Sequence, residues 1–307
     1  MKKLQASIPI LAIYCLWIAI SCALYLIGLK LPELGSLRGL LFPLVILLFI
    51  ILGFFLTSYF LIYGWRRLTA QPGVYTAWLI FSLFLSLLLY SAGQGLAIWR
   101  PGIFIVNTAN LFVFANLVGT LIVSPLNRTA ELIILCVVVA LADLFSVLSG
   151  PTRAIVKSVK TYYEGGMKGP APPGDFLLIK FPIPGAVDLQ PVFGVSDWII
   201  IVFLSTAAFK FGINDNLAGK GLKAMKAADR LSFYFPVAGL GLVLAMAAAN
   251  IFGVFLPVLP LIALVYIVYM LVFYPSSRRL GKTDWWLMFG FAAVMLCLFG
   301  LGVMVAG

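Results

Sequence analysis

Long apolar stretches separated by polar breaks run the length of the chain: 7–29, 40–63, 74–98, 102–123, 131–149, 193–213, 231–255, 258–274 and 285–306. A hydrocarbon layer of roughly 30 Å is crossed by about 20 apolar residues in a helix. These nine stretches approach or exceed that length, so the pattern predicts an all-α membrane protein. It would be a polytopic bundle of about nine transmembrane helices forming one domain over 1–307. The first stretch follows Met1-Lys2-Lys3, as a signal peptide would. It is longer than the 7–15-residue core of such a peptide, and the expectation is an uncleaved first helix. Lipoprotein-type cleavage before Cys22 is the alternative.

Two connections are long. In 150–192, Pro151-Thr152-Arg153 is followed by Ile155, Val156, Val159, Tyr162 and Tyr163, which alternate at helical spacing with Lys157 and Lys160. That pattern predicts a short amphipathic helix on the membrane surface. After a Gly/Pro-rich stretch, Phe176-Leu177-Leu178-Ile179-Lys180-Phe181 stands between Gly174 and Pro182, a strand-sized run with a turn signal on each side. The second connection, 214–230, carries Lys220, Lys223, Lys226 and Arg230 and predicts a polar interfacial helix.

Composition agrees: 63% of residues are hydrophobic and 10% charged, against about 45–50% and about 25% in soluble domains. The net charge of +11 is read as topology, because the basic residues sit in loops flanking the apolar stretches, with a lesser part for anionic headgroups; no nucleic-acid partner is expected. Cys15, Cys22, Cys136 and Cys297 lie inside apolar stretches without CxxC spacing, which argues against a disulfide framework or a zinc site. The chain has no histidine. An HExxH metalloprotease, a Ser–His dyad and His-ligated haem are thereby excluded, and neither metal nor cofactor is expected.

Most acidic residues fall in connections or at the ends of apolar stretches; Asp143 and Asp197 lie inside them. A charged side chain at the bilayer centre costs at least about 2.5–3.5 kcal/mol, and such residues mark functional sites by default. The alternative is a protonated aspartate making a hydrogen bond between helices. The stretches 131–149 and 193–213 are joined by one connection, so they run antiparallel. Asp143 stands about 10 Å before that connection and Asp197 about 6–9 Å after it. If the helices pack side by side, the carboxyls face each other at one level. Two carboxyls at close range share one proton, one acting as acid and the other as base. Such a pair can activate water and protonate a leaving amine.

The residues around both aspartates resemble a known family. Ala142-Asp143-Leu144-Phe145-Ser146-Val147-Leu148, followed by Gly150-Pro151-Thr152-Arg153, resembles the presenilin segment with the first catalytic aspartate. Gly194-Val195-Ser196-Asp197-Trp198-Ile199 resembles the GxGD motif, and Pro257-Val258-Leu259-Pro260 the PAL motif. The order is also similar, over about 131–274. Ala142 stands where the family has Tyr, Ser196 replaces the second Gly of GxGD, and Val258 replaces the PAL alanine. Four apolar stretches precede Asp143 where the family has five, and 285–306 is extra.

The resemblance to the presenilin and signal peptide peptidase family of intramembrane aspartyl proteases implies N-terminal helices in 1–130, a catalytic core in 131–274 with its loop at 150–192, and an extra C-terminal helix in 275–307. It implies hydrolysis of transmembrane protein or peptide substrates in the lipid bilayer by an Asp143/Asp197 dyad. Gly194, Val195, Ser196, Pro257, Val258 and Leu259 would border the substrate. Phe176, Leu177, Leu178 and Ile179 would offer a strand edge for its unwound segment. With nine crossings, 13 of the 21 Lys and Arg residues fall on the N-terminal side, which favours a cytoplasmic N-terminus and a non-cytoplasmic catalytic loop. Two other functions stay open: a proton- or cation-coupled transporter or channel using the same aspartates, and a catalytically inactive homologue.

Overall fold

The computed structural model describes residues 2–30, 38–96, 99–148, 151–167, 169–183, 186, 188–252 and 257–306. Gly150, Lys168, Glu33 and the end of the predicted 231–255 stretch lie outside them. The helices are α1 (Lys2–Lys30), α2 (Arg38–Tyr59), α3 (Trp65–Thr69), α4 (Pro72–Gly95), α5 (Arg100–Val123), α6 (Ala130–Leu148), α7 (Pro151–Glu164), α8 (Val195–Phe211), α9 (Leu222–Ala227), α10 (Val237–Phe252), α11 (Val258–Phe273) and α12 (Lys282–Ala306). Two strands, β1 (Leu178–Phe181) and β2 (Gln190–Gly194), pair antiparallel. Among the described residues, five helical stretches are long and apolar enough to cross a membrane: 5–30, 42–69, 72–95, 100–123 and 130–147. The protein is an all-α bundle of membrane-embedded character.

Several boundaries depart from the hydrophobic pattern, each for a local reason. The second stretch does not stop at 63: a π-helical segment, Phe60–Gly64, carries the helix on into α3 and through Arg66 and Arg67. In 231–255 the helix begins only at Val237. Pro236 restricts the residue before it to extended backbone, and residues 231–235 are non-helical. The predicted strand loses Phe176 and Leu177 to a 3-10 turn, Pro173–Leu177. Its partner β2 takes Phe193 and Gly194 from the start of the predicted 193–213 stretch. The interfacial helix of 214–230 shrinks to the six residues of α9, because Gly212, at φ 73°, ends α8 in the left-handed conformation and a folded loop follows.

The packing centre is α5 against α8. An added Cβ on Gly119 would lie 2.8 Å from the Ile199 carbonyl oxygen and 2.8 Å from Val202 Cβ, so glycine allows the backbones to touch. Aromatic rings fill the space around this contact. Trp198, fully buried, stacks on Phe54 at 5.2 Å and Phe193 at 5.6 Å and meets Phe112 at 4.9 Å. Phe112 stacks on Trp17, and Phe49 on Phe181. Rings from α1, α2, α5, β1, β2 and α8 thus form one block. Elsewhere α10 packs on α11, α11 on α6, and α6 on α12.

Beyond α8 the chain folds on Asn216, whose amide donates to the Lys220 and Phe233 carbonyls and accepts from the Ala218 and Phe235 N–H groups. Next to it Asp215 is fully buried; it accepts a 2.7 Å hydrogen bond from the Tyr234 hydroxyl and has no salt-bridge partner among the described residues. Burial pushes this carboxyl up to about 7, against the opposing pull of the Tyr234 hydrogen bond.

Two predictions follow from this packing. Gly119→Leu drives a side chain into the α8 backbone, and overpacking of that kind costs about 1–3 kcal/mol; a lower melting temperature in detergent checks it. For Asp215, the folded chain keeps the proton up to about pH 7, whereas an unfolded aspartate releases it near about pH 4. The associated stability is therefore complete below pH ~4 and disappears as pH rises through about 7. Asp215→Asn retains an acceptor for Tyr234 and lacks this proton. Relative to the variant, the native chain should lose on the order of a few kcal/mol between pH 4 and 8, read from unfolding at several pH values.

Candidate functional site

Asp197 is the third residue of α8, and its Oδ2 accepts a 2.9 Å hydrogen bond from the N–H of Gly194, the last residue of β2. An acid in the first turn of a helix meets unpaired N–H groups and the positive end of the peptide dipoles. Asp197 is buried, with 7% of its surface exposed, while Ser196 beside it is exposed. The aspartate is therefore set by a strand-to-helix corner, and Trp198 in the aromatic block fixes that corner from behind.

Asp143 lies five residues before the end of α6 and is half-buried. Its carboxyl lies close to the backbone N–H of Leu259, in the first turn of α11 after Pro257. Its charge is close enough to act on Asp197. The two aspartates are thus brought together, but not by direct packing of their helices. Among the described residues α8 packs mainly on α5, α6 packs on α11 and α12, and α11 touches both α6 and α8. This corrects the side-by-side arrangement expected from the depths: α11 stands between α6 and α8 and brings the Leu259 N–H close to Asp143. No Lys or Arg pairs with either aspartate among the described residues, nor do three or more potential metal ligands cluster.

A groove of about 480 Å³ borders the end of β2 and the start of α11, though neither aspartate lines it. Phe42, Ile46 and Ile50 of α2 form one wall, Met246 of α10 another, and Pro191, Val192 and Val258 the remainder. Two of these residues adjoin the backbone groups beside the aspartates: Val192 is two residues before Gly194, and Val258 directly precedes Leu259. Predicted Val258 therefore lines the groove, Gly194 bonds the Asp197 carboxyl and Leu259 lies close to that of Asp143; Val195 and Pro257 are half-buried at the starts of their helices.

The remaining predicted residues are placed differently. Phe176 is buried against Phe104 and Tyr90, over Gly93, and outside the groove. Leu177 is half exposed in the 3-10 turn. Ile179 is completely buried in the core, and Leu178 pairs with Gly194. The outer edge of β1 is not open: the Lys180 N–H and carbonyl both bond the Thr108 hydroxyl of α5 at 3.3 Å. The sheet's other edge belongs to β2. Sequence reasoning missed β2, although Gln190-Pro191-Val192-Phe193 ahead of Gly194 is a short β-branched and aromatic run that could have signalled it.

A buried ion pair clamps this loop. Lys180 and Asp175 meet at 2.5 Å with side chains 1% and 0% exposed. Tyr163 of α7 donates to the other Asp175 oxygen at 2.7 Å, and the ammonium lies over the Phe104 ring. Asn107 of α5 donates to the Phe176 carbonyl and Gln94 of α4 to that of Ala171. Charges out of water require such complete partnering, and here it ties α7 and the turn before β1 to α4 and α5. No protein-family model, curated protein or solved structure matches this chain.

Proposed function

We propose that the chain is an intramembrane aspartyl protease with a presenilin-like bundle of about nine transmembrane helices and an Asp143/Asp197 dyad. One observation carries the reading: each aspartate stands by a backbone N–H of a segment that borders the same apolar groove, Asp197 bonded by Gly194 at the end of β2 and Asp143 close to Leu259 at the start of α11. A transmembrane helix entering the groove meets the edge of β2 and comes up to the segments beside both carboxyls. A helix hides its amides in its own hydrogen bonds, so hydrolysis needs an unwound segment. Extension of that segment along β2 satisfies its backbone groups while exposing one peptide bond.

In the reaction, the ionised carboxylate takes a proton from water as the oxygen attacks the scissile carbonyl carbon. The protonated carboxyl gives its proton to the amide nitrogen, the C–N bond breaks, and an acid and an amine leave. The Gly194 N–H positions the Asp197 carboxyl, the Leu259 N–H stands close to that of Asp143, and both offset removal from water. The substrates are transmembrane proteins or peptides, and no cofactor takes part.

Two outcomes are expected. Purified protein in liposomes with a helical transmembrane peptide should yield products. Asp143→Asn and Asp197→Asn should each lower turnover by on the order of 10²–10⁴-fold, with unchanged melting temperature. Products persisting in both variants, or a folded native protein that yields no product and binds no transition-state inhibitor of aspartyl proteases, would exclude this assignment. For the strand edge, Val192→Pro should reduce cleavage at least about tenfold at little cost in stability, since proline is tolerated on edge strands. Ile179→Pro, in the covered strand, should lower the melting temperature. Unaltered turnover in Val192→Pro would remove β2 from substrate binding.

A further inference from the structure

At the end of α8 remote from the aspartates, basic residues from distant parts of the sequence share one surface. Arg66 and Arg67 are exposed on α3, and α9 packs against the π-helical segment just before them. Leu222 and Met225 anchor α9 in the core, leaving Lys223 exposed and Lys226 half-exposed. Burial, and then the charges of Arg66 and Arg67, hold the Lys226 ammonium below its ordinary range. Lys220 and Arg230 flank the same helix and are exposed.

Helix orientation alone calls for basic residues near the ends of apolar helices; it does not require them to crowd one another. None of these six cations has a salt-bridge partner among the described residues. The acidic residue nearest in sequence, Asp229, makes no salt bridge with any of them among the described residues. The surface is also ordered beforehand, since Asn216 and Asn214 tie the loop to itself at Gly219, Lys220 and Phe233. Lys210 differs: its ammonium is spent on the Val123, Ser124 and Leu126 carbonyls at the end of α5.

The same loop exposes Leu217 and Phe233, about half of each surface. Apolar side chains beside unpaired cations, at the end of apolar helices, match the boundary between headgroups and acyl chains. We propose that Arg66, Arg67 and Lys226 form a binding site for the phosphate of an anionic phospholipid, with Leu217 and Phe233 seated in the acyl region next to it. The bound lipid neutralises the crowded charges and steadies α9 against the end of α2. The inference rests on membrane embedding and is independent of the aspartate dyad.

Delipidated full-length protein in detergent is titrated with phosphatidylglycerol or phosphatidylcholine, and lipid adducts are counted by native mass spectrometry. The native chain should bind phosphatidylglycerol preferentially. One basic residue near an anionic surface is worth roughly fivefold in binding, so Arg66→Gln/Arg67→Gln/Lys226→Gln should weaken it on the order of 100-fold. Arg66→Lys/Arg67→Lys, which keeps the charge, should stay within a few-fold of native and separates charge loss from misfolding. Equal binding of the two lipids by the native chain, or undiminished phosphatidylglycerol binding by a folded triple variant, would overturn the proposal. So would a patch that binds poly-glutamate with no preference among lipids, which would assign it to an acidic polypeptide.

Discussion

The hydrogen bond from the Gly194 N–H to the Asp197 carboxyl joins the end of a strand to the start of a helix and places a polar group where the surroundings are otherwise apolar. A buried carboxyl without partners costs several kcal/mol, and a cation is the usual remedy. No Lys or Arg pairs with it here among the described residues. The partner is instead the backbone, at a helix start where N–H groups are unpaired in any case. Asp143 likewise lies close to the Leu259 N–H. Backbone donors neutralise no charge, so both carboxyls keep their capacity to exchange protons with a reacting group.

This solution makes demands on the rest of the fold. β2 must end at Gly194, so β1 must lie beside it, and β1 is held in place by Thr108 and by the buried Asp175–Lys180 pair. The start of α8 must not shift, which the rings packed on Trp198 ensure. The start of α11 must reach Asp143, and close packing of α10 on α11 supports it: an added Cβ on Gly241 would lie 2.5 Å from Ile262 Cα.

Much of this was legible in the sequence, and the exceptions share a cause. Long apolar runs announce helices because 3.6-residue periodicity and lipid exposure both act locally. Asp143 and Asp197 stood out because aspartate in such a run has no local justification. The apolar runs 193–213 and 231–255 passed over Gly212 and Pro236, where α8 ends and α10 begins, because an apolar run records hydrophobicity and not the backbone restrictions of single residues. The pattern did not disclose β2, because Gln190–Gly194 merges with the following apolar run and strand pairing is a long-range choice. Nor did it show that Phe176 and Ile179 are both buried, Phe176 in the turn before β1 and Ile179 within it: which residues of a continuous apolar run are covered depends on the elements packed around it. The bridging role of α11 was likewise invisible, since depth along two helices says nothing about what stands between them.

The two ends of α8 are solved in opposite ways, and the contrast bears on why the site is where it is. At its first turn a carboxyl sits where helix dipoles and free N–H groups favour negative charge, and its neighbours are a strand end and an open groove. Past its last turn Asp215 is sealed in with Tyr234 and, among the described residues, no salt-bridge partner, near the carbonyl end of the helix, where negative charge is disfavoured. Burial drives that carboxyl towards its neutral form. A protein needing a reactive, ionisable pair inside a bilayer gains from the first environment and would be obstructed by the second. The cations of α3 and α9, too, lie beyond the last turn of α8, away from its first turn. Separating that basic surface from Asp197 along one helix leaves the carboxyl with the Gly194 N–H and the neighbouring Asp143 as its electrostatic surroundings.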